Sequence, residues 1–156
     1  MASEVLGIDI GGVIISYSPD NFGVFHPVPG VFEALKRLKE EKFGEKIFIV
    51  SHAGESMERL MLWWLNSHDF YNITGIRFEN VYFCRKRMEK ARICKNFGVT
   101  HFIDDRKEIL HYLHQAGIPN LYLFGGNRQE PEVFDQVLPH VTTVESYTQF
   151  LEKLLG

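Results

Sequence analysis

The sequence predicts an α/β fold in which five to six parallel strands form one doubly wound sheet over residues 1–156. Two observations support this fold class. Short apolar and β-branched runs, typical of buried strands, alternate with longer segments whose apolar residues recur at helical spacing. The 156 residues, 45% of them hydrophobic, suffice for a single domain with a sizeable core. Strands that alternate with helices are typical of parallel sheets, because each parallel connection must cross the sheet.

The first predicted strand ends in a carboxylate. The stretch Val5 to Val13, VLGIDIGGV, begins with an apolar run and places Asp9 at its end, just before Gly11 and Gly12. In open α/β sheets, ligands bind where the strands end and helix N-termini meet. Asp9 is therefore the first candidate site residue. For this segment alone, a turn that carries a solvated aspartate is the alternative interpretation.

The remaining elements follow in alternation. Further strands are predicted at Lys46 to Val50, Asn80 to Cys84, Thr100 to Ile103, Asn120 to Phe124 and, more weakly, Thr142 to Val144. Helices are predicted from Val31 to about Glu41, around Met57 to Leu65, up to Phe97, around Ile109 to Ala116, near Glu130 to Leu138, and around Tyr147 to Leu155. Gly98 is expected to end the helix before it.

A long loop, Ser16 to Gly30, separates the first strand from the first helix. Loops of this length without a helix of their own are often functional. The part from Tyr17 to His26, called the aromatic loop below, leaves the site end of the strand. It is expected to line the mouth of a site.

Polar side chains follow four of the predicted strands. They are Asp9, then Ser51, then the basic cluster of Arg85, Lys86 and Arg87, then Asp104 with Asp105. Because parallel strands end at one edge of a sheet, we expect these groups to lie close together. Carboxylates from separate strands, with a carbonyl between them, suit Mg²⁺. Ser51 before Gly54 and a helix suits a phosphate group, although three basic residues that open a helix are also typical of a solvated surface.

Charge and composition narrow the class of partner. The formal net charge of -3 argues against nucleic acid and against an anionic membrane. Cys84 and Cys94 lie in apolar or helical contexts and are expected to be reduced core thiols. No signal peptide and no long apolar window is visible, so a cytoplasmic protein that does not span a membrane is expected.

Four short segments resemble the signature motifs of the haloacid dehalogenase-like (HAD) superfamily. They are Asp9 in IDIGGV, Ser51 in IFIVS, Lys90 in KARICKNFGVTHFIDD, and the pair Asp104 and Asp105. They occur in the family order across nearly the whole chain, which is identified as a phosphatase-like member. The resemblance implies a Rossmann-like sheet. It also implies a capless protein, since neither interval that holds a cap in capped members is long enough for one.

The resemblance implies a Mg²⁺-dependent phosphohydrolase that cleaves phosphomonoesters through an aspartyl-phosphate on Asp9. The implied metal ligands are Asp9, the Gly11 carbonyl, Asp104 and, through water, Asp105. The implied phosphoryl ligands are Ser51 and Lys90, with His52, Arg85 and Lys86 as further candidates for substrate binding. Lys90 also has a catalytic role in this interpretation. A phosphorylated small molecule or macromolecule is the expected substrate. In this family an open, capless site goes with large or macromolecular substrates or with a homo-oligomer that closes the site.

One departure from the family pattern concerns Gly11. The usual phosphatase has a second aspartate there, which protonates the leaving oxygen and later activates water, assistance typically worth ~10²–10⁴ in rate. Glycine removes this group and keeps the backbone carbonyl. The alternative function is a weak or inactive pseudoenzyme that binds a phosphorylated ligand or protein partner. A further alternative is that GIDIGG resembles the phosphate loop of actin-like sugar kinases, a fold that needs two large domains and normally has Thr at the position of Val13.

Overall fold

The structure is a computed structural model that describes residues 3–16 and 18–156. Tyr17, with which the predicted aromatic loop begins, lies outside the described residues. The strands are β1 (Leu6–Ile8), β2 (Ile47–His52), β3 (Val81–Cys84), β4 (His101–Asp104), β5 (Asn120–Phe124) and β6 (Val141–Val144). They form a six-stranded parallel sheet in the order β3-β2-β1-β4-β5-β6. The predicted Rossmann-like α/β fold is confirmed.

Six α-helices accompany the sheet in the described residues. They are α1 (Val31–Leu38), α2 (Glu55–Ser67), α3 (Phe70–Thr74), α4 (Glu89–Asn96), α5 (Lys107–Gln115) and α6 (Tyr147–Leu155). A π-helical turn at Lys39–Phe43 extends α1, and 3₁₀-helices cover Phe78–Asn80 and Glu132–His140. In the part of the chain that the structure describes, no helix has the length and apolar character needed to cross a bilayer.

The end of β1 agrees with its prediction to within one residue, and one other element differs from its predicted form. The strand β1 ends at Ile8, because the Ile10 carbonyl accepts N–H bonds from residues 13, 14 and 15 and turns the chain. The segment predicted as a helix near Glu130 to Leu138 is the more tightly wound 3₁₀-helix Glu132–His140. It contains Pro139, which has no N–H to contribute to a helical ladder.

Side chains of the strands alternate between two hydrophobic layers. In β2, Ile47 and Ile49 belong to the layer that includes Leu35 of α1, whereas Val50 belongs to the layer that includes Leu110 of α5. The helices α1 and α6 thus cover one face of the sheet, and α4 and α5 cover the other. With both faces covered, the ends of the central strands are the places where polar groups can meet a ligand.

The central strand β1 lies at the point where the strand order reverses. Ile8 pairs with Ile49 of β2 on one side and with Ile103 of β4 on the other. Ligands of open α/β sheets bind in the crevice beyond this point. The N–H of Asp9 donates to the Ile103 carbonyl at 3.2 Å, and Asp104 is the last residue of β4. The fold therefore brings both carboxylates to the same edge.

Candidate active site

Three buried carboxylates meet where β1 and β4 end. They belong to Asp9, Asp104 and Asp105, and each contributes an oxygen that lies within 4.8 Å of the other two. We call these residues the acidic triad. All three side chains are buried, and Asp104 is 0% exposed. Such proximity of buried carboxylates requires compensation by cations.

Lys90 binds two members of the acidic triad. It lies on α4, is 2% exposed, and donates from Nζ to Asp9 Oδ1 and to Asp104 Oδ2, both at 2.9 Å. Burial alone would lower the pKa of Lys90, but the carboxylates of Asp104 and Asp9 raise this pKa above its ordinary value. The ammonium group therefore remains charged between them.

The triad carries more charge than its nearest cations offset. Burial and the Asp9 carboxylate raise the pKa of Asp104 well above its usual value, against the effect of Lys90. The same two causes raise the pKa of Asp105, against the effect of Arg128, whose Nη2 and Nε lie 2.8 and 3.2 Å from Asp105 Oδ2. Three carboxylates thus contact two cationic side chains.

The donor set of the triad fits a divalent cation such as Mg²⁺, which prefers carboxylate and carbonyl oxygens. Asp105 Oδ1 is buried and has no hydrogen-bond partner among the described residues. Buried acceptors of this kind normally have a partner, and a metal ion would provide one. The residues that would hold it are Asp9, Asp104, Asp105 and the Gly11 carbonyl.

Gly11 and Gly12 differ in backbone conformation and in the space around them. Gly12 has φ +78°, and a β-carbon built there would overlap the Asp105 carboxylate. Gly11 is not among the positive-φ residues, and the nearest atom to its β-carbon would be the Met61 methyl at 3.8 Å. Glycine is therefore required at position 12 by the close approach of Asp105, whereas position 11 has room for a side chain.

A cavity of about 130 Å³ lies over Asp9. This site cavity is lined by Asp9, Gly11, Ser51, His52, Met61, Arg87, Lys90, Arg106, Ile109 and Arg128. Four of the lining side chains are cationic and one is a carboxylate. The site cavity therefore suits an anion that reaches down to Asp9.

Ser51 and His52, at the end of β2, both line the site cavity. The Ser51 hydroxyl is buried and donates to Met61 Sδ at 3.7 Å. His52 Nε2 lies 3.1 Å from the Arg85 carbonyl. Burial and the nearby Arg87 lower the pKa of His52 below 6.5, although the Arg85 carbonyl opposes this effect.

Of the three residues in the basic cluster, only Arg87 lines the site cavity. Arg85 donates to the Ala53 carbonyl at 2.9 Å and to Glu58 at 2.8 Å, while Lys86 is exposed, and neither lines the site cavity. Arg87 does line it and pairs with Glu108 at 3.0 Å. Its buried Nε has no hydrogen-bond partner among the described residues. The two arginines thus have different acidic partners, Glu58 on α2 and Glu108 on α5.

The described part of the aromatic loop, residues 18–26, does not line the site cavity. The carbonyl of Phe25 accepts a hydrogen bond from Trp64 Nε1 at 2.8 Å, which attaches this part of the loop to α2. Asp20 accepts N–H bonds from Phe22 and Val24 and contacts His26 at 2.7 Å. The loop is thus held by its own polar groups and by α2.

Sequence reasoning missed four residues of the site cavity: Met61, Arg106, Ile109 and Arg128. Arg106 directly follows the acidic pair, and that position was a usable signal. Arg128 lies beyond β5, 23 residues after the Asp105 that it contacts. It could have been found by asking which basic residue follows a strand that ends at the same edge.

No protein-family model and no curated protein matches the chain. Solved structures match over nearly its whole length. One is the D,D-heptose 1,7-bisphosphate phosphatase from Burkholderia thailandensis, with TM-score 0.65, 16% identity and 99% of each chain covered. A second is a Thermotoga maritima protein assigned as a beta-phosphoglucomutase, with TM-score 0.63, 13% identity, and 97% of this chain and 98% of that chain covered.

A third match is a Streptomyces avermitilis protein assigned as a HAD family hydrolase. Its TM-score is 0.54 at 14% identity, and the match covers 91% of this chain and 82% of that chain. At such identities, the likeness establishes a shared fold.

Proposed function

We propose that this chain, whose fold is haloacid dehalogenase-like, is a Mg²⁺-dependent phosphohydrolase that cleaves phosphomonoesters through an aspartyl-phosphate on Asp9. One observation carries the proposal. Lys90 joins Asp9 to Asp104 through two 2.9 Å contacts beneath a cavity with cationic walls. A carboxylate held in this way can meet a phosphoryl group whose charge the surrounding cations offset.

The first step is attack by Asp9 on phosphorus. Lys90 binds Oδ1 of Asp9, and Oδ2 has no hydrogen-bond partner among the described residues, so Oδ2 is the oxygen available to attack. A bond forms between this oxygen and phosphorus as the bond to the leaving oxygen breaks. Ser51, Lys90 and the arginines of the site cavity bind the phosphoryl oxygens and offset their charge.

When bound by the acidic triad, Mg²⁺ supplies a divalent charge that neutralises the phosphoryl oxygens. In the second step, water attacks the phosphorus of the aspartyl-phosphate, which releases inorganic phosphate and restores the Asp9 carboxylate. The protein's own contribution to both steps is to hold Asp9 beside Lys90 and to line the site cavity with cationic side chains.

The remaining features of the function extend this proposal. We propose a capless protein of the cytoplasm that acts on a phosphorylated small molecule or macromolecule, alone or as a homo-oligomer. The capless form is supported by the segment between β2 and β3, which forms only α2, α3 and a 3₁₀-helix. The extensive match to haloacid dehalogenase-like structures gives no support to the sugar-kinase alternative.

A second candidate function is binding without turnover. Its support is Gly11, which provides no acid or base two residues after Asp9. Such a protein would bind Mg²⁺ and a phosphorylated partner and release no phosphate.

Phosphate release by the wild type and by Asp9→Asn, with and without Mg²⁺, tests the proposed function. Aryl phosphates and simple alkyl phosphates are suitable substrates. Asp135→Asn is the matched control, because Asp135 pairs with Lys107 at the surface. The proposal expects Mg²⁺-dependent release that Asp9→Asn abolishes and Asp135→Asn retains. Binding of Mg²⁺ and vanadate without any release would favour the second candidate.

A further inference from the structure

Cleavage of an alkyl phosphate needs a proton donor, because an alkoxide is a poor leaving group. Among the described residues that line the site cavity, few can exchange a proton near neutral pH. Asp9 is the nucleophile of the proposed reaction, and the pKa of Lys90 is raised by its two carboxylates. Arginine side chains stay protonated, and a serine hydroxyl does not titrate in this range. His52 is the lining side chain that remains.

We propose that His52 is the general acid and base of the phosphohydrolase reaction, in place of the aspartate that position 11 lacks. This inference rests on the proposed function. It assigns the proton transfers of both chemical steps to one imidazole on β2.

The first support is position. Ile8 of β1 pairs with Ile49 of β2. His52 is the last residue of β2, the strand that pairs with β1. His52 and Gly11 line the site cavity together with Asp9. The imidazole therefore borders the cavity that Asp9 and position 11 also border.

The second support is the tautomer. A carbonyl oxygen only accepts, so the 3.1 Å contact between His52 Nε2 and the Arg85 carbonyl places a hydrogen on Nε2. The contact of Arg85 with Glu58 at 2.8 Å holds this part of the chain. Nδ1 has no hydrogen-bond partner among the described residues, and in the neutral ring it carries the lone pair. It can therefore accept and return a proton.

The proton balance closes over one cycle. In the first step, a bond forms from Asp9 to phosphorus, the bond to the leaving oxygen breaks, and the proton on His52 Nδ1 passes to that oxygen to give an alcohol. In the second step, water attacks phosphorus, the bond to Asp9 breaks, and the proton of the water passes to Nδ1. The products are the alcohol and inorganic phosphate, and His52 returns to its imidazolium form.

The charges around His52 are consistent with this cycle. The charged groups that act on it are Arg87, Lys90 and Arg106, all cationic, and burial adds to their effect in lowering its pKa below 6.5. A phosphate dianion in the site cavity opposes these cations and favours the imidazolium form. His52 thus takes up a proton when the substrate binds, and it can release that proton when inorganic phosphate leaves.

The main test compares His52→Gln with the matched control His114→Gln. His114 is an exposed histidine near the C-terminal end of α5, the end that points away from the site edge. Glutamine retains an N–H donor for the Arg85 carbonyl and cannot titrate. We expect kcat for an alkyl phosphate to fall ~10²–10⁴-fold in His52→Gln and to stay near wild type in His114→Gln.

An aryl phosphate separates the two steps. Its leaving group needs little protonation, so His52→Gln should still form the aspartyl-phosphate and release about one phenol per site in a burst. Steady-state release should then be slow, because water attack lacks its base. In the wild type, kcat/KM for the alkyl phosphate should decline as pH rises through the pKa of His52 in the free enzyme, which lies below 6.5. His52→Gln should lose this decline.

Two rescue experiments distinguish loss of catalysis from loss of folding. His52→Ala should regain activity with added imidazole, and Gly11→Asp in the His52→Gln background should restore alkyl phosphate cleavage. Wild-type rates in His52→Gln would overturn the role of His52 and leave the proposed function standing. Equal losses on both esters, with no burst and no rescue, would also overturn it. A wild type that cleaves neither ester would overturn the proposed function and, with it, the role of His52.

Discussion

Lys90 Nζ lies 2.9 Å from Asp104 Oδ2, so that a fully buried ammonium group joins α4 to the last residue of β4. The same nitrogen also contacts Asp9. Lys90 therefore links the carboxylate proposed to attack phosphorus with a carboxylate proposed to hold the metal. Stability, metal binding and phosphate binding should consequently respond together when this residue is changed.

Replacing Lys90 by methionine should destabilise the protein, because two buried carboxylates lose their common partner. Removal of one member of a buried ion pair typically costs about 3–5 kcal/mol. Urea unfolding measures this loss, and vanadate binding should weaken in the same variant. Lys86→Met is the matched control at an exposed position and should change both properties little. Equal effects of the two substitutions would show that Lys86 has the role assigned here to Lys90.

Asp104→Asn should lower Mg²⁺ affinity by more than about tenfold, since changes around metal ligands commonly cost 10–100-fold. Without metal, the variant should also lose stability, because the buried Lys90 ammonium group loses one of its two carboxylate partners. Calorimetric titration with Mg²⁺ measures the affinity, and thermal unfolding with and without Mg²⁺ measures the linked stabilisation. Asp135→Asn controls for loss of an acidic residue. Unchanged Mg²⁺ affinity in Asp104→Asn would refute this ligand assignment.

Substitutions at Gly11 and Gly12 should have opposite outcomes. Gly11→Asp should fold normally and increase alkyl phosphate hydrolysis, because position 11 lacks positive φ and has room for a side chain. Gly12→Ala should lose about 1–2 kcal/mol to its left-handed backbone and should displace Asp105, with loss of Mg²⁺ binding. Unfolding and Mg²⁺ titration of both variants check this contrast. A Gly12→Ala protein with wild-type Mg²⁺ affinity would contradict the proposed place of Asp105.

Stability should fall in mild acid through His101. Burial lowers the pKa of His101 below its ordinary 6.5, although Glu4 partly opposes this. The unfolded chain therefore binds the proton more readily, and the free energy of unfolding declines as pH falls from about 6.5 towards the folded pKa. His101→Gln should reduce this slope by up to ~1.4 kcal/mol per pH unit, the value of one proton. Urea unfolding between pH 7 and 5, with His114→Gln as control, should reveal the difference; identical slopes would refute it.

Much of the fold could be predicted because each strand carries a local signal. The run NLYLF was predicted with the bounds that β5 has, since it is apolar and bounded by polar turns. The end of β1 was predicted to within one residue, because Asp9 directly follows Ile8, the last residue of the strand. The 3₁₀ form of Glu132–His140 was missed, since helical spacing does not distinguish a 3₁₀-helix from an α-helix.

Part of the candidate site was predictable for a similar reason. Asp9 and Asp104 end strands, and strand order then places them together. Arg106 and Arg128 reach the site cavity through loops whose direction no periodicity encodes. The different acidic partners of Arg85 and Arg87 likewise depend on tertiary contacts with α2 and α5.

The central claim is that phosphate passes through Asp9. The most direct measurement is to quench the wild type with acid during turnover of an aryl phosphate with Mg²⁺ and to locate the phosphoryl group by peptide mass spectrometry. The account predicts a phosphorylated peptide containing Asp9, labile to hydroxylamine and absent in Asp9→Asn. Phosphate release that proceeds without any label on Asp9, or that persists at the wild-type rate in Asp9→Asn, would contradict it.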